Sequence, residues 1–568
     1  MRRPLLAAFT GLVLIFAGCR GTQQSAQQTS PPVTDTDALL KYQDEITEDF
    51  LREHLTIFAA DSMEGRETAM PGQKKAARYL VDQYRQMELQ PAGEGDDYYQ
   101  KFMLEAIQSD SVVFETFDLK DDQKLRISRS VASNNRTADY IRAFGGTDSL
   151  QGEIVFAGFG VQDPSQGINQ LEGLDLQGKW VMVFQEIPHV VDGDTLVDPS
   201  IDARARFSAV FNQGAEGLLL ISDMSSKEFR ASAVGMQTGF DKPSAMRLAY
   251  LEEEEGSGGF DKGYSLVSPE MAKRLLGLEA EETLAGYRQK LVSNIAEFKP
   301  RPLEFLLSQI PYQTRLSLET ENVLALVEGA DPQLKDEVVV VTSHYDHVGI
   351  GQPDSTGDRI YNGADDDGSG TIGTLALANA FRTAAEDGVR PKRSIMFLNV
   401  TGEEKGLLGS RYYSDHPTWP IEKTVANLNT DMIGRIDAEH EAEGVEDYVY
   451  IIGGELISSG LDSLIEAANR QSGQIILDKK YNDLNDPNQF YRRSDHWNFG
   501  RLGVPFAFFF TGVHEDYHRP SDEVHKIRFE KMAKIVRTMY ASAVLIANAA
   551  EAPAVDNQAF IEKTSADL

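Results

Sequence analysis

The run Val338-Val339-Val340-Val341-Thr342-Ser343-His344-Tyr345-Asp346 decides the fold: five β-branched residues in succession, then an imidazole and a carboxylate two residues apart. A strand that is apolar on both faces is covered on both faces. Similar runs recur at Ile395–Val400, Val425–Leu428 and Val504–Phe510, with helices predicted at Thr371–Ala385, Leu461–Gln471 and Phe529–Ala549. This alternation predicts an α/β fold, a mixed and mostly parallel sheet sandwiched by helices. Ligands of such sheets bind beyond the carboxyl ends of the strands. His344, Glu404 and Asp431 fall there, each within a few residues of the end of an apolar run.

Five side chains in this part carry metal-ligand chemistry: His344, Asp366, Glu404, Asp431 and His518. Two imidazoles and three carboxylates form the mixed nitrogen and oxygen set that zinc accepts. One carboxylate shared between two ions would build a two-metal hydrolytic site. Asp346, two residues beyond His344 on an extended strand end, is placed to accept the other ring N–H of that histidine. Asp366 is the middle of Asp365-Asp366-Asp367, in a glycine-flanked loop that opens the Thr371 helix. Three adjacent carboxylates repel one another unless a cation sits among them. A calcium loop competes as a reading, but the helix-loop-helix spacing with its terminal glutamate is absent. Glu403 and Glu404 end a strand, so alternating side chains suit two tasks: Glu404 faces a metal, and Glu403 reaches a water as general base. The stretch Tyr491-Arg492-Arg493-Ser494-Asp495-His496 adds a phenol, a carboxylate and another imidazole in one polar loop.

Over the whole chain, 568 residues are too many for one core, and a hydrophobic content of 41% suits two or three globular domains. A formal charge of −33 argues against nucleic acid as a partner, since nothing here neutralises phosphates. Residues 46–102 read as helical. Residues 103–300 read as short β-rich runs such as Glu153–Val161 and Lys179–Phe184, a helix over Ile201–Asn212, a buried strand at Gly217–Ile221 and a solvated Glu252–Glu255 loop. No His, Cys or carboxylate set with ligand spacing falls in that stretch. Residues 301–550 carry the β/α alternation, and 551–568 form a tail.

At the other end, Arg2 and Arg3 precede an apolar stretch, Leu5 to Ala17, that is too short to span a bilayer. It closes in Phe16-Ala17-Gly18-Cys19, which resembles a bacterial lipobox. Residues 1–19 are therefore expected to be a lipoprotein signal peptide, Cys19 the lipid attachment site, and 20–45 a flexible tether. The expectation is an exported protein anchored to a cell membrane, with Arg20 favouring the outer one.

Together these motifs resemble peptidase family M28, the co-catalytic zinc aminopeptidases, in the larger form with an inserted protease-associated domain. The carriers are GRETAMPG (65–72), SHYDHVG (343–349), NGADDDGSG (362–370), NVTGEEKGLLGS (399–410), NLNTDMIGR (427–435), YRRSDHWNFGRLGVP (491–505) and YHRPSDE (517–523). They cover 46–102 and 315–550. Residues 103–300 resemble the insert more loosely, through GEIVFAGFG, LDLQGKWVMVF and NQGAEGLLLIS. The resemblance implies a zinc-peptidase/phosphorylase-like fold with a β-rich insert and two Zn²⁺ per chain. It implies that His344 and Glu404 each serve one ion, that Asp366 bridges both, and that Asp431 and His518 complete the shell. It further implies Glu403 as general base, Asp346 and Asp495 as residues that orient ligands, and Tyr491 as a stabiliser of the oxyanion.

The activity so implied is the removal of N-terminal residues from peptides by an exported enzyme. Arg492 and Arg493, or Arg435, are alternatively suited to clamp a substrate carboxylate, which would give a carboxypeptidase or dipeptidase. Glutaminyl cyclases share the fold but lack the insert, and some relatives have lost their ligands and act as receptors. The expected partners are peptide substrates and, through Cys19, a membrane. Homodimerisation is left open.

Overall fold

The computed structural model describes residues 34–564, apart from 121–123, 133–136, 145–148, 192, 236–242, 244, 252–262 and 352. The signal peptide, Cys19 and the Glu252–Glu255 loop lie outside the described residues.

Helix α1 (Glu48–Phe58) starts at Thr47, whose hydroxyl accepts the Phe50 N–H, with Glu48 and Asp49 in its first turn. Its Leu51, Leu55 and Phe58 share one helical face and are fully buried. Helix α2 (Pro71–Gln86) opens on proline, where the missing N–H has no partner to lose. Strand β1 (Tyr99–Asp118) then leads into the β-rich stretch that follows residue 102. There β2 (Leu150–Phe156), β3 (Trp180–Phe184), β4 (Gly217–Ile221) and β5 (Tyr264–Val267) pair in parallel. Strand β6 (Arg301–Val327) returns antiparallel to β1.

The second half continues through β7 (Val338–His344), α3 (Gly370–Glu386), β8 (Ser394–Val400), α4 (Leu408–Asp415) and β9 (Thr424–Thr430). It ends with β10 (Tyr448–Gly453), α5 (Ser459–Gln471), β11 (Phe506–Phe510) and α6 (Phe529–Asn548). The strand order is β10-β11-β9-β7-β8-β6. β7 is parallel to both β8 and β9, and β9 to β11, while β6 runs antiparallel to β8 and β10 antiparallel to β11. Alternate residues feed two cores. Val339, Val341 and Phe397 join Phe381 of α3 and Tyr540 of α6, whereas Val338, Val340 and Leu398 join Tyr413 of α4 and Phe499. That two-sided burial is why these strands carry no polar face.

Three expectations about organisation are corrected. The tether, expected to reach residue 45 with a helical stretch beginning near Leu39, gives way to helical turns already at residues 36–45: Leu39 is fully buried and its carbonyl accepts the Tyr540 hydroxyl at 3.0 Å. The expected tail contains a helix, Gln558–Thr564, whose Phe560 ring lies 6.0 Å from that of Phe506. The boundary at 102 falls inside a strand, β1, whereas residues 298–300 form a loop that leads into β6. β6 pairs with β2 near its start (Arg301 with Phe156) and with β8 at its end (Val327 with Ile395).

Candidate metal centre

Parallel strands deliver their carboxyl ends to one edge, and four functional side chains gather there. His344 ends β7, Asp431 follows β9, and Glu403 and Glu404 follow β8 after the Thr401-Gly402 turn. Asp366 enters from the loop ahead of α3, and His518 from the loop after β11.

His344 Nε2 lies 3.3 Å from Asp366 Oδ1 and 3.5 Å from Asp431 Oδ1. On the opposite side of the same carboxylate, Asp366 Oδ2 is 3.0 Å from His518 Nε2, which is 3.2 Å from Glu404 Oε2. Asp366 therefore stands between two imidazole–carboxylate sets. Glu403 Oε2 is 4.0 Å from His344 Nε2. Asp366 Oδ2 and Asp431 Oδ1 are buried without a hydrogen-bond donor. Ligand atoms around a tetrahedral zinc with ~2.0 Å bonds sit about 3.3 Å apart, so these spacings fit a divalent cation on each side of Asp366. Among the described residues, two groups have ligand spacing, His344–Asp366–Asp431 and His347–Asp366–Glu404.

The electrostatics agree. Burial disfavours a charged His344, yet Asp431, Glu403 and Asp366 carry its pKa well above the ordinary value. Against the same burial cost, the neighbouring carboxylates of Asp366 and Glu404 lift His518 to about 10. Without metal, this centre gathers protons instead. Burial pushes the Glu403 carboxyl well above its usual range; His344 opposes that shift, while Glu404, Asp431 and Asp495 add to it.

The aspartate triplet divides its labour. Asp366 faces the imidazoles. Asp367 accepts N–H groups from His344 (3.1 Å), Gly370 (2.9 Å) and Met432 (3.2 Å), which ties three ligand-bearing segments together. Asp365 accepts the Gly434 N–H at 2.6 Å and faces His514 Nε2 at 3.2 Å. Behind them Asp522 accepts the N–H groups of Asp365 (3.0 Å) and Asp366 (3.2 Å). The mutual repulsion expected of the triplet is thus met partly by backbone donors.

The GRETAM segment straps the same edge. Arg66 is fully buried and its guanidinium donates to the carbonyls of Tyr345 (3.0 Å), Phe58 (3.2 Å), Asn362 (2.6 Å) and Gly363 (2.8 Å). Its own carbonyl accepts the His347 N–H at 3.1 Å.

Three site assignments need correction. The Asp346 carboxylate is 3.9 Å from His344 Nδ1, which instead meets the Asp346 main-chain carbonyl at 3.1 Å. That carboxylate accepts the Thr68 hydroxyl (2.6 Å) and the Glu403 N–H (3.3 Å), so it orients the loop of the base rather than the ligand. Asp495 is fully buried with neither carboxylate oxygen hydrogen-bonded, and burial carries it up to about 7. Its neighbour Ser494 does the orienting, through a 2.9 Å hydrogen bond to Asp431 Oδ2. Tyr491 is buried in an apolar cluster against Trp497 and does not line the cleft; Tyr517 does, stacked on His518 with ring centres 3.9 Å apart. Burial also explains His496, held neutral at about 3 between Phe506 and Phe508.

Beside the centre opens a cleft whose walls include Met432, Phe490, Phe508 and Phe510, with Arg493 and Tyr517 also on its lining. Of the candidate carboxylate clamps, Arg435 is paired with Asp516 at 2.9 Å, and Arg492 bonds Gln489. Arg493 alone of the three lines the cleft.

His347 and Tyr517 were not singled out from sequence. Each stands inside a quoted motif, three residues after His344 and one before His518 respectively.

Residues 322–543 match the family model for peptidase family M28. Leucine aminopeptidase 2 of Arthroderma otae is 29% identical over 259 residues, 44% of this chain and 45% of that protein. Aminopeptidase YwaD of Bacillus subtilis is 28% identical over 203 residues, 34% of this chain and 38% of that protein. The matched stretch thus spans less than half the length of each of these curated relatives. An aminopeptidase from Aneurinibacillus sp. strain AM-1 shares the fold, with a TM-score of 0.51 and 18% identity, over 92% of this chain and 97% of that one.

Proposed function

Residues 322–543 carry a peptidase family M28 domain, and on that premise we propose that this chain is a zinc-dependent aminopeptidase that hydrolyses N-terminal residues from peptides. One observation carries the reading: a single buried carboxylate, Asp366, lies between two imidazole–carboxylate sets, with Glu403 beside them. The names of the relatives, leucine aminopeptidase and aminopeptidase, support the same reaction.

His344, Asp366 and Asp431 would hold one ion, and Asp366, Glu404 and His518 the other. Two bound zinc ions supply Lewis acidity and make water easier to ionise near neutral pH. Glu403 takes the proton of the attacking water and returns it to the leaving amine. Such general acid–base help is worth ~10²–10⁴ in rate. Tyr517 holds its proton firmly, chiefly through burial and then through the carboxylates around it. Its hydroxyl is therefore a donor for the oxyanion that develops on the scissile carbonyl. The apolar cleft walls exclude water and receive the substrate's side chain, while the surplus of carboxylates favours a free α-amino group.

Arg493 on the cleft lining favours a second reading, in which a substrate carboxylate is clamped and the enzyme acts as a carboxypeptidase or dipeptidase. Matched peptides with free and acetylated N-termini separate the two. Hydrolysis confined to free amines, lost on chelation and restored by zinc, is the expected result; hydrolysis of the acetylated set points to the carboxypeptidase. The leader sequence and Cys19 support export and lipid anchoring. Cys19→Ala is expected to release the protein from membranes.

A further inference from the structure

His347 belongs to neither expected ion shell, yet it is among the most firmly fixed side chains at the centre. It is fully buried. Its N–H donates to the Arg66 carbonyl at 3.1 Å, and it bridges in parallel register to Glu67 of the strap. One edge of the ring lies against Gly363, where an added Cβ would come within 2.5 Å of its Cδ2 and where φ is +55°. The ring of His518 meets it edge-on, with centres 5.7 Å apart. Backbone pairing, the glycine cradle and the aromatic contact leave the imidazole little freedom.

Its one side-chain hydrogen bond runs from Nδ1 to Glu404 Oε1 at 2.8 Å. An ionised carboxylate can only accept, so Nδ1 carries the proton. The other carboxylate oxygen, Oε2, faces His518 Nε2 at 3.2 Å, and His518 Nε2 in turn faces Asp366 Oδ2 at 3.0 Å. His347 Nδ1 is farther from Asp366 Oδ2, at 3.7 Å. The two oxygens of Glu404 thus have separate neighbours. Were Nδ1 instead to bind an ion, the ring proton would move to Nε2, which is buried without a partner. An orphaned N–H is the costlier defect.

We propose that His347 is a positioning residue: it holds Glu404 Oε1 by a hydrogen bond, so that Glu404 presents the single oxygen Oε2 to the second ion beside Asp366 and His518. The inference rests on the two-ion reading above. Its consequence is an asymmetry between the sites. The Asp366–Glu404–His518 site depends on an outer hydrogen bond for its affinity, whereas the His344–Asp366–Asp431 site takes its outer bond to Asp431 from Ser494.

Zinc titration of the full chain against a competing chelator tests this, using wild type, His347→Leu and His347→Asn. The amide nitrogen of Asn occupies nearly the place of Nδ1 and can donate. Wild type is expected to bind two ions. His347→Leu should weaken one of them by ~10–100-fold, the usual cost of losing an outer-shell partner, and leave the other unchanged. His347→Asn should restore most of the loss. Cobalt substitution adds a spectroscopic check: the visible bands of the weakened site should keep their positions in His347→Asn. Failure of Asn to restore affinity, with shifted cobalt bands, would make His347 a direct ligand and overturn the proposal. So would equal weakening of both ions together with a lower Tm of the metal-free variant, which marks a merely structural residue, or no weakening at all. His347→Ala replaces the Leu variant if that one does not fold. A wild-type stoichiometry below two would instead defeat the two-ion reading itself.

Discussion

Residues 103–300 and residues 301–550 are built from the same kind of strand and end those strands differently. β3 (WVMVF) and β4 (GLLLI) are as completely buried as β7 (VVVVTSH) and β9 (TVANLNT), and all four lie in parallel pairs. Each half even places a buried arginine at a strand end. Arg206 donates to the carbonyls of Phe184 and Gln185, both at 3.0 Å, as Arg66 donates to those of Tyr345 and its neighbours. The two halves differ in the residues just past the carboxyl ends of their strands. Gln185-Glu186 and Ser222-Asp223 come after β3 and β4, whereas His344, Asp431 and the Glu403-Glu404 pair converge beyond β7, β9 and β8. An apolar pattern specifies a covered sheet; chemistry needs side chains from separate segments to meet at one edge.

The largest expected effect comes from metal removal. Chelation should abolish hydrolysis, and zinc should restore it. Uptake should also release protons. His518, lifted to about 10, is protonated at pH 8 in the metal-free protein, and an imidazole must be neutral to bind zinc. The apparent enthalpy of zinc binding at pH 8 should therefore change with the ionisation enthalpy of the buffer, and zinc affinity should fall as pH falls. A buffer-independent enthalpy would contradict the proton-filled centre.

The paired arginines provide an internal control. Arg66→Met leaves several buried carbonyls unpaired and is expected to cost about 3 kcal/mol or more of stability. It should also weaken zinc binding, because those carbonyls belong to the segments bearing His344 and Asp366. Arg206→Met is expected to destabilise by about 2 kcal/mol through the same loss, with zinc affinity and hydrolysis untouched. Equal effects of both variants on zinc would erase the distinction between the halves.

A smaller effect concerns Lys531 of α6, which donates to the Arg435 carbonyl at 2.8 Å and is pushed down to about 7 by burial. Its folded value lies below the unfolded one, so the unfolded chain binds more protons between about pH 7 and 10. Stability of this half should therefore rise with pH across that window. Lys531→Met is expected to flatten the rise and to stabilise at pH 7 by about 1–2 kcal/mol, the removed charge outweighing the lost hydrogen bond. Denaturant melts at pH 7 and pH 9.5 check the sign.

Much of this was legible from residues alone, for a physical reason. Strands covered on both faces write continuous apolar runs, and β7, β8 and β9 were visible for that reason, together with the ligands at their ends. The β1–β6 ribbon was hidden because its middle is not covered: from Gln313 to Glu319 the side chains range from partly to fully exposed, and Pro311 interrupts the run. Leu39, where a helical stretch is expected to begin, is closed over by α6 some five hundred residues later. Tyr491 and Tyr517 are the same residue type in adjoining motifs, and only packing tells the cleft-lining phenol from the core one. His347 was passed over because its partner, Glu404, and its strap, Glu67, are far away in sequence. Its signal was nevertheless present, as a second imidazole three residues after the first.

The proposed catalysis turns on Glu403 working as the base beside a two-ion centre. Zinc content and peptide hydrolysis measured together on Glu403→Gln test that role. Two zinc ions per chain are expected, as in wild type, with hydrolysis reduced by ~10²–10⁴. Wild-type hydrolysis by a zinc-loaded Glu403→Gln protein would show that Glu403 is not the base.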